Sequence, residues 1–251
     1  LAKRMDNRFK KILVLSILVG VILRVLAASY LGNQVVDMPG TADQISYHNL
    51  ALRVLQGHGF TFGEDWWPAT QANSPTAHWS FLYTGYLVLV YALFGPNPLA
   101  ARLIQAVLVG ILQPLLAFLI GRQVFGKWIG LAAGVITAFY AYFIYYSANL
   151  MTESFYIIAI LAALYISILL AAEQRASTPG DGRLPVSRSH KWRLSVLLGI
   201  SLAAAVLLRQ VFLLFVPFLF LWILLQGRRY LPQLALSGLL IVLAIIPFTI
   251  Y

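Results

Sequence analysis

The sequence predicts an all-α polytopic membrane protein with seven transmembrane helices and interfacial helices in the first external loop. Three observations carry that expectation. Hydrophobic residues make up 61% of the 251 and charged residues 10%, with a mean hydropathy of +0.82, which leaves too little polar surface for a water-soluble domain. The apolar residues gather into runs of the length that crosses a bilayer, about 17–25 residues. The basic residues collect between those runs, so the formal charge of +10 reads as the positive-inside bias of a membrane protein and argues against nucleic acid as a partner. With no cysteine, disulfides, thiolate chemistry and Cys-ligated metals are excluded.

The first run, 12–32, follows Lys3, Arg4, Arg8, Lys10 and Lys11, a pattern shared with signal peptides and read here as an uncleaved span. Further runs occupy 98–121, 128–148, 154–173, 194–208, 211–226 and 230–251, the fifth and sixth short for spans. The loop 174–193 carries Arg175, Arg183, Arg188, Lys191 and Arg193 and is therefore placed in the cytoplasm. Alternating sides from there puts Glu153, Asn97 and Arg209 outside and Arg122, Lys127, Arg228 and Arg229 inside; the first helix also delivers Asp43 outside. Both ends of 33–97 then share one side, so the apolar stretch 80–95 is not a full crossing and lies in the interface or re-enters. Fourteen of the eighteen basic residues become cytoplasmic under this topology, and five of the eight acids, Asp37, Asp43, Glu64, Asp65 and Glu153, external.

Within 33–97, Thr41 followed by Gln44 has the form of a capping box. Ile45, Leu50, Ala51, Val54 and Leu55 suit an amphipathic helix ending at Gly57 and Gly59. Asp43 then sits in its first turn, where the helix dipole favours a carboxylate, and Tyr47 shares its face. One reading makes Asp43 a catalytic acid or base; the other makes it a stabilising first-turn acid. His48, His58 and His78 share the segment, so a divalent metal is an open option, although no pair has a recognisable ligand spacing. Arg24, inside the first span, must snorkel, pair or face a cavity, a donor phosphate being one partner it could find. Trp66, Trp67, Trp79 and the tyrosines at 140, 142, 145 and 146 read as membrane-interface anchors.

Several segments carry a family resemblance: Asp43-Gln44-Ile45-Ser46-Tyr47-His48-Asn49-Leu50-Ala51, Gly57-His58-Gly59-Phe60, Tyr91-Ala92-Leu93-Phe94-Gly95, Ala101-Arg102-Leu103-Ile104-Gln105, Gly121-Arg122-Gln123-Val124-Phe125-Gly126 and Leu150-Met151-Thr152-Glu153. In order and spacing over about 40–155 the chain resembles the bacterial membrane glycosyltransferases of the protein-mannosyltransferase and aminoarabinose-transferase type, the C-type glycosyltransferase fold. The resemblance implies a module of seven transmembrane helices, a polyprenyl-phosphate sugar donor and an inverting transfer on the external face of a prokaryotic inner membrane. It implies that Asp43 is the first-loop acid acting as general base on the acceptor or orienting it. Arg102 and Arg209 are the external cations it offers for the leaving phosphate, with Arg53 a weaker third. Tyr47 joins Asp43 in the substrate site, and Glu153 matches the family's Thr-Glu acid, which holds the acceptor, a metal or an arginine; otherwise it is a solvated loop acid.

The sequence departs from the family pattern in three places. No second acid follows Asp43, Trp79-Ser80-Phe81-Leu82-Tyr83 stands where relatives have an Arg-Pro-Pro-x-Tyr-like stretch, and Gln210 follows Arg209 in place of proline. These departures leave a second function class: a non-catalytic scaffold or accessory subunit in a larger membrane complex, with other membrane-protein subunits and lipids as partners. The ending Ile246-Pro247-Phe248-Thr249-Ile250 resembles a family motif that continues into further helices or an external domain. The expectation is therefore that 1–251, a single transmembrane module, is the N-terminal part of a longer gene product.

Overall fold

The computed structural model describes residues 7–68, 70–176, 188–226 and 230–249. Among these, the regular structure is helical: α1 (Asn7–Leu31), α2 (Asp43–Leu55), α3 (Phe81–Phe94), α4 (Pro98–Phe125), α5 (Lys127–Phe139), α6 (Ala141–Ala148), α7 (Glu153–Ala176), α8 (Arg188–Leu208), a 3-10 helix (Gln210–Leu214), α9 (Val216–Gln226) and α10 (Leu231–Thr249). The chain is all-α and polytopic, as its composition predicts. Five helices, α1, α4, α7, α8 and α10, are long and apolar enough to cross a membrane, and the bent pair α5–α6 makes a sixth if it forms one span. The seventh expected crossing, 211–226, falls in the shorter apolar stretch Gln210–Gln226, where the 3-10 turn precedes α9. At 14 residues α3 is also short of a span, in keeping with its sequence parity. The centre of the basic loop, 177–187, lies outside the described residues.

Two compact units divide the chain, Leu1–Phe155 and Tyr156–Ile250. In the first, α1, α4 and α5 pack together and α2 lies against α3. Their helices are built inside out: α1 turns Ile12, Val14, Leu15, Leu18, Ile22 and Leu26 outward, as lipid requires, and buries Ser16, Gly20, Arg24 and Ala28 on one stripe. Small residues on that stripe let backbones approach, which is how helices gain packing energy where lipid removes the hydrophobic drive. A β-carbon on Gly110 would lie 2.8 Å from Val21 of α1, and one on Gly130 of α5 would lie 2.6 Å from the Arg122 backbone nitrogen of α4. The corner joining α4 to α5 is the single residue Gly126, whose φ of +95° disfavours any side chain.

Arg24 resolves its sequence puzzle by pairing with backbone. It is fully buried, and Nη1 donates to Gly20 O at 3.0 Å and Ala138 O at 2.8 Å while Nη2 donates to Thr137 O at 3.2 Å. Thr137 and Ala138 form the last turn of α5, just before the 49° bend into α6 at Tyr140. A helix broken inside the hydrocarbon strands its final carbonyls, and a guanidinium at that partly negative end satisfies them. No phosphate is needed to explain the buried charge.

The first loop corrects one local expectation. Ala42, and not Thr41, occupies the cap of α2, and no side chain caps it. Thr41 Oγ1 donates to Met38 O at 3.3 Å, and Gln44 turns inward, where its Nε2 reaches Val36 O. The buried face of α2 is correspondingly mixed, with Gln44, Ser46, Tyr47, Leu50 and Ala51 inside and Leu55 exposed. α2 does end at Leu55, and Gly57 and Gly59 follow with φ of +83° and +66°. Residues 60–68 and 70–76 then fold back as an irregular hairpin with bridges Thr61–Pro75 and Trp66–Thr70. Ser80 accepts from Tyr83 N at 3.1 Å and caps α3.

In the second unit α8 packs on α10, with Ser237 Oγ donating to Ser195 O at 2.8 Å. Gly199 makes the approach possible, since its β-carbon would meet Leu240 at 2.7 Å.

Two experiments follow from this packing. Arg24→Leu strips two α5 carbonyls of their donor and is expected to cost about 2–4 kcal/mol, read as lowered resistance to SDS denaturation; an unchanged midpoint would show that the bend satisfies itself. Gly130→Ala should cost about 1–3 kcal/mol by forcing α4 and α5 apart. Gly85→Ala in α3, where nothing lies within 4 Å of the new β-carbon, should be neutral or stabilise by up to about 1 kcal/mol.

Candidate active site

Asp43 stands in the first turn of α2, half-buried. Among the described residues nothing hydrogen-bonds or ion-pairs with its carboxylate, which leaves the group available for chemistry. One turn on, Tyr47 is buried with its ring edge-on to Trp79 (centroids 5.5 Å) and Tyr83 (5.0 Å). Burial pushes its phenol up to about 12; the negative charges of Asp43 and Glu153 add to the rise, and hydrogen bonding at the Ser80 backbone and the Thr152 side chain opposes it. Tyr47 is thus a neutral hydroxyl at physiological pH, flanked by two acids. Glu153, in the first turn of α7, is half-buried and accepts from Thr152 Oγ1 at 3.5 Å. Of the five sequence-predicted site residues, Asp43 and Glu153 are thus near enough to act electrostatically on a third, the Tyr47 phenol.

Arg102 is near them but is differently engaged. It is fully buried in α4, with Nη1 donating to Gly32 O at 2.6 Å and Nη2 to Gln34 O at 2.7 Å and to Gln44 Oε1 at 3.1 Å. It clamps the chain leaving α1 and the residue next to Asp43. His48 lies beside this cation, and its Nδ1 shares a hydrogen bond of 2.9 Å with Tyr91 Oη. Burial holds the imidazole below its ordinary value of 6.5, and Arg102 lowers it further.

Arg209 belongs to the second unit, where it precedes the 3-10 helix, is exposed, and holds its guanidinium 5.9 Å from the Tyr156 ring centroid. Arg53, the weaker third cation, lies elsewhere in the first unit and donates to Thr61 Oγ1 at 3.0 Å and Asn73 Oδ1 at 2.7 Å. Among the described residues no three of the His, Asp and Glu side chains gather as a metal site.

Two amides on α4 carry more of the site than motif reading assigned them. Gln105 Nε2 donates to Ser147 O at 3.0 Å and Asn149 O at 2.7 Å, and its Oε1 accepts from Tyr83 Oη at 2.8 Å. Gln113 Nε2 donates to Ser154 O at 3.1 Å. Together they anchor the turn that presents Thr152 and Glu153. Their signal in the sequence is that Arg102, Gln105 and Gln113 share one helical face inside an apolar span, where polar groups persist only if partnered. The aromatic anchors divide likewise. Tyr145 and Tyr146 donate to Pro39 O and Gly40 O, clasping the chain before Asp43, and Trp79 is buried beside Tyr47, while Trp67 is 81% exposed.

The pH behaviour of His48 is open to measurement. Below about pH 6.5 the unfolded chain gains a proton that the folded imidazole resists, so stability present at neutral pH is lost on acidification. The thermal midpoint of the solubilised protein should fall between about pH 7 and pH 5, and His48→Gln should flatten that slope; parallel slopes would remove His48 from the account.

Residues 81–179 match the model of the family described as dolichyl-phosphate-mannose-protein mannosyltransferase. No curated protein and no solved structure matches the chain. The matched segment runs from the start of α3 past the described end of α7 and includes Arg102, Gln105, Thr152 and Glu153. Over that segment the chain is similar to a family of C-type membrane glycosyltransferases, and its long apolar helices mark it as a multi-pass membrane protein.

Proposed function

We propose that the protein moves a sugar from a polyprenyl-phosphate donor to an acceptor hydroxyl on the external face of the membrane, with inversion at the anomeric carbon. The observation that carries this reading is the unpaired, half-buried Asp43 carboxylate beside the buried Tyr47 phenol and Glu153. In the reaction Asp43 takes the acceptor proton as the acceptor oxygen attacks the anomeric carbon. The bond from that carbon to the phosphate oxygen breaks, and polyprenyl phosphate leaves with the electron pair. Tyr47, neutral and rigidly packed, donates a hydrogen bond to the sugar or acceptor, and Glu153 orients the acceptor.

Because both Nη atoms of Arg102 are taken, we assign it to positioning: through Gln44 it fixes the first turn of α2 and so the direction of Asp43. Arg209 is the proposed cation for the leaving phosphate, on the strength of the motif resemblance alone. The lipid-linked donor is supported by the family match over 81–179.

The test is release of polyprenyl phosphate from a radiolabelled lipid-phosphate hexose by the purified chain in vesicles. Asp43→Asn should lower the rate by about 10²–10⁴-fold with the thermal midpoint unchanged, and Tyr47→Phe should give a smaller loss. Full activity in Asp43→Asn would end the base assignment. A wild-type chain that turns over none of a panel of donors, yet co-purifies with other membrane subunits, would favour the scaffold reading suggested by the motif departures.

A further inference from the structure

On the side of α2 away from the catalytic cluster, the first loop forms one wall of an open cleft of about 350 Å³, within the range of roughly 300–1,000 Å³ usual for small-molecule sites. Asn49, Arg53 and Gln56 line it from the helix, and Phe62, Glu64 and Trp66 from the hairpin. Asp43, Tyr47 and Glu153 do not. We propose that this cleft is a saccharide subsite, seating one neutral pyranose ring of the acceptor apart from the reacting centre.

The chemistry of the wall selects the ligand. The Trp66 indole is fixed on two sides: its ring stacks on Phe62 at 4.8 Å with planes 5° apart, and its Nε1 donates to Ser46 Oγ at 2.8 Å. One indole face is covered and one remains, a rigid apolar platform of the kind that packs against the C–H face of a sugar ring at little entropic cost. Around it stand hydrogen-bonding groups open to solvent: among the described residues the Asn49 and Gln56 amides and the Glu64 carboxylate make no hydrogen bond or ion pair within the protein. Arg53 spends Nη2 on Thr61 and Asn73, but its Nε is buried without a partner, a state that costs free energy until an acceptor arrives. Planar amides, a carboxylate and a guanidinium together match the paired donors and acceptors of vicinal hydroxyls. With one cation and one anion on the wall, the site carries no net charge, which argues for a neutral ring and against a phosphate.

Position then assigns the ring to the acceptor. Asn49 and Gln56 follow Asp43 by six and thirteen residues of helix and its cap, which at 1.5 Å per residue is about 9–20 Å along the axis. A ring held there is too far away to offer its own hydroxyl to Asp43, so it is a further unit of an extended acceptor glycan. That last step rests on the glycosyl-transfer reading; the binding itself does not.

The experiment is saturation-transfer NMR on the full chain in detergent, titrated with methyl hexopyranosides and with sorbitol as an open-chain control. At least one pyranoside should bind and sorbitol should not. Asn49→Ala, which removes no internal hydrogen bond, should weaken binding about five- to tenfold. Gly63→Val, which fills the cleft beside Arg53 Nη1, 3.6 Å from the new β-carbon, should abolish it. Asp43→Asn should leave binding intact. Absence of any pyranoside signal, sorbitol binding as well as the pyranosides, or wild-type binding in both cleft variants, would overturn the subsite. Equal weakening in Asp43→Asn would overturn it too, by placing the sugar at the reacting centre. If Asp43→Asn keeps full transfer activity while Asn49→Ala loses sugar, the base assignment fails and the subsite stands.

Discussion

Three interruptions of helix in the first unit, after α1, at the α5–α6 bend and after α6, are each held by a polar side chain projecting from a continuous helix. In hydrocarbon an unpaired carbonyl costs several kcal/mol, so broken helices and re-entrant turns survive only where such donors reach them. Arg24 on α1 serves the end of α5. On α4, Arg102 serves the chain leaving α1 and Gln105 the turn after α6. The irregular segments these residues hold are the ones that lead into Asp43 and Glu153.

A division of labour between charges follows. Arginines 24 and 102 are the costliest groups in the unit to bury, and both have their terminal nitrogens committed to carbonyl oxygens. Asp43 and Glu153 are half-buried, and both act on the Tyr47 phenol. Structural work falls to groups that cannot lose their charge, and the two carboxylates keep part of their surface exposed. Glycines at helix crossings complete the arrangement, because the reach of Arg24 to α5 requires the close approach that Gly20 and Gly110 permit.

Much of this was legible in the residues. The apolar runs located the long helices because lipid imposes length and hydropathy together, and Gly57 and Gly59 marked the end of α2 because positive φ selects glycine. The Thr41–Gln44 spacing misled. A capping box assumes that a helix start faces water, whereas here a buried arginine offers Gln44 a stronger partner. The run 128–148 gave no hint of its bend, since an apolar sequence looks the same straight or broken; only Arg24, 114 residues away from Ala138, supplies the compensating donor.

The sequence by itself determined that the chain is a helical, multi-pass membrane protein and that Asp43 lies outside the long apolar helices. Those are consequences of composition and local pattern, and they need no knowledge of distant contacts. Tertiary structure decided that Arg102 and Gln105 are clamps, that Tyr47 joins the two acids, and that Asn49, Arg53 and Trp66 share a cleft. Each depends on residues far apart in the chain meeting in a dry interior, where a hydrogen bond unmade is too costly to leave and the partner is fixed by packing alone.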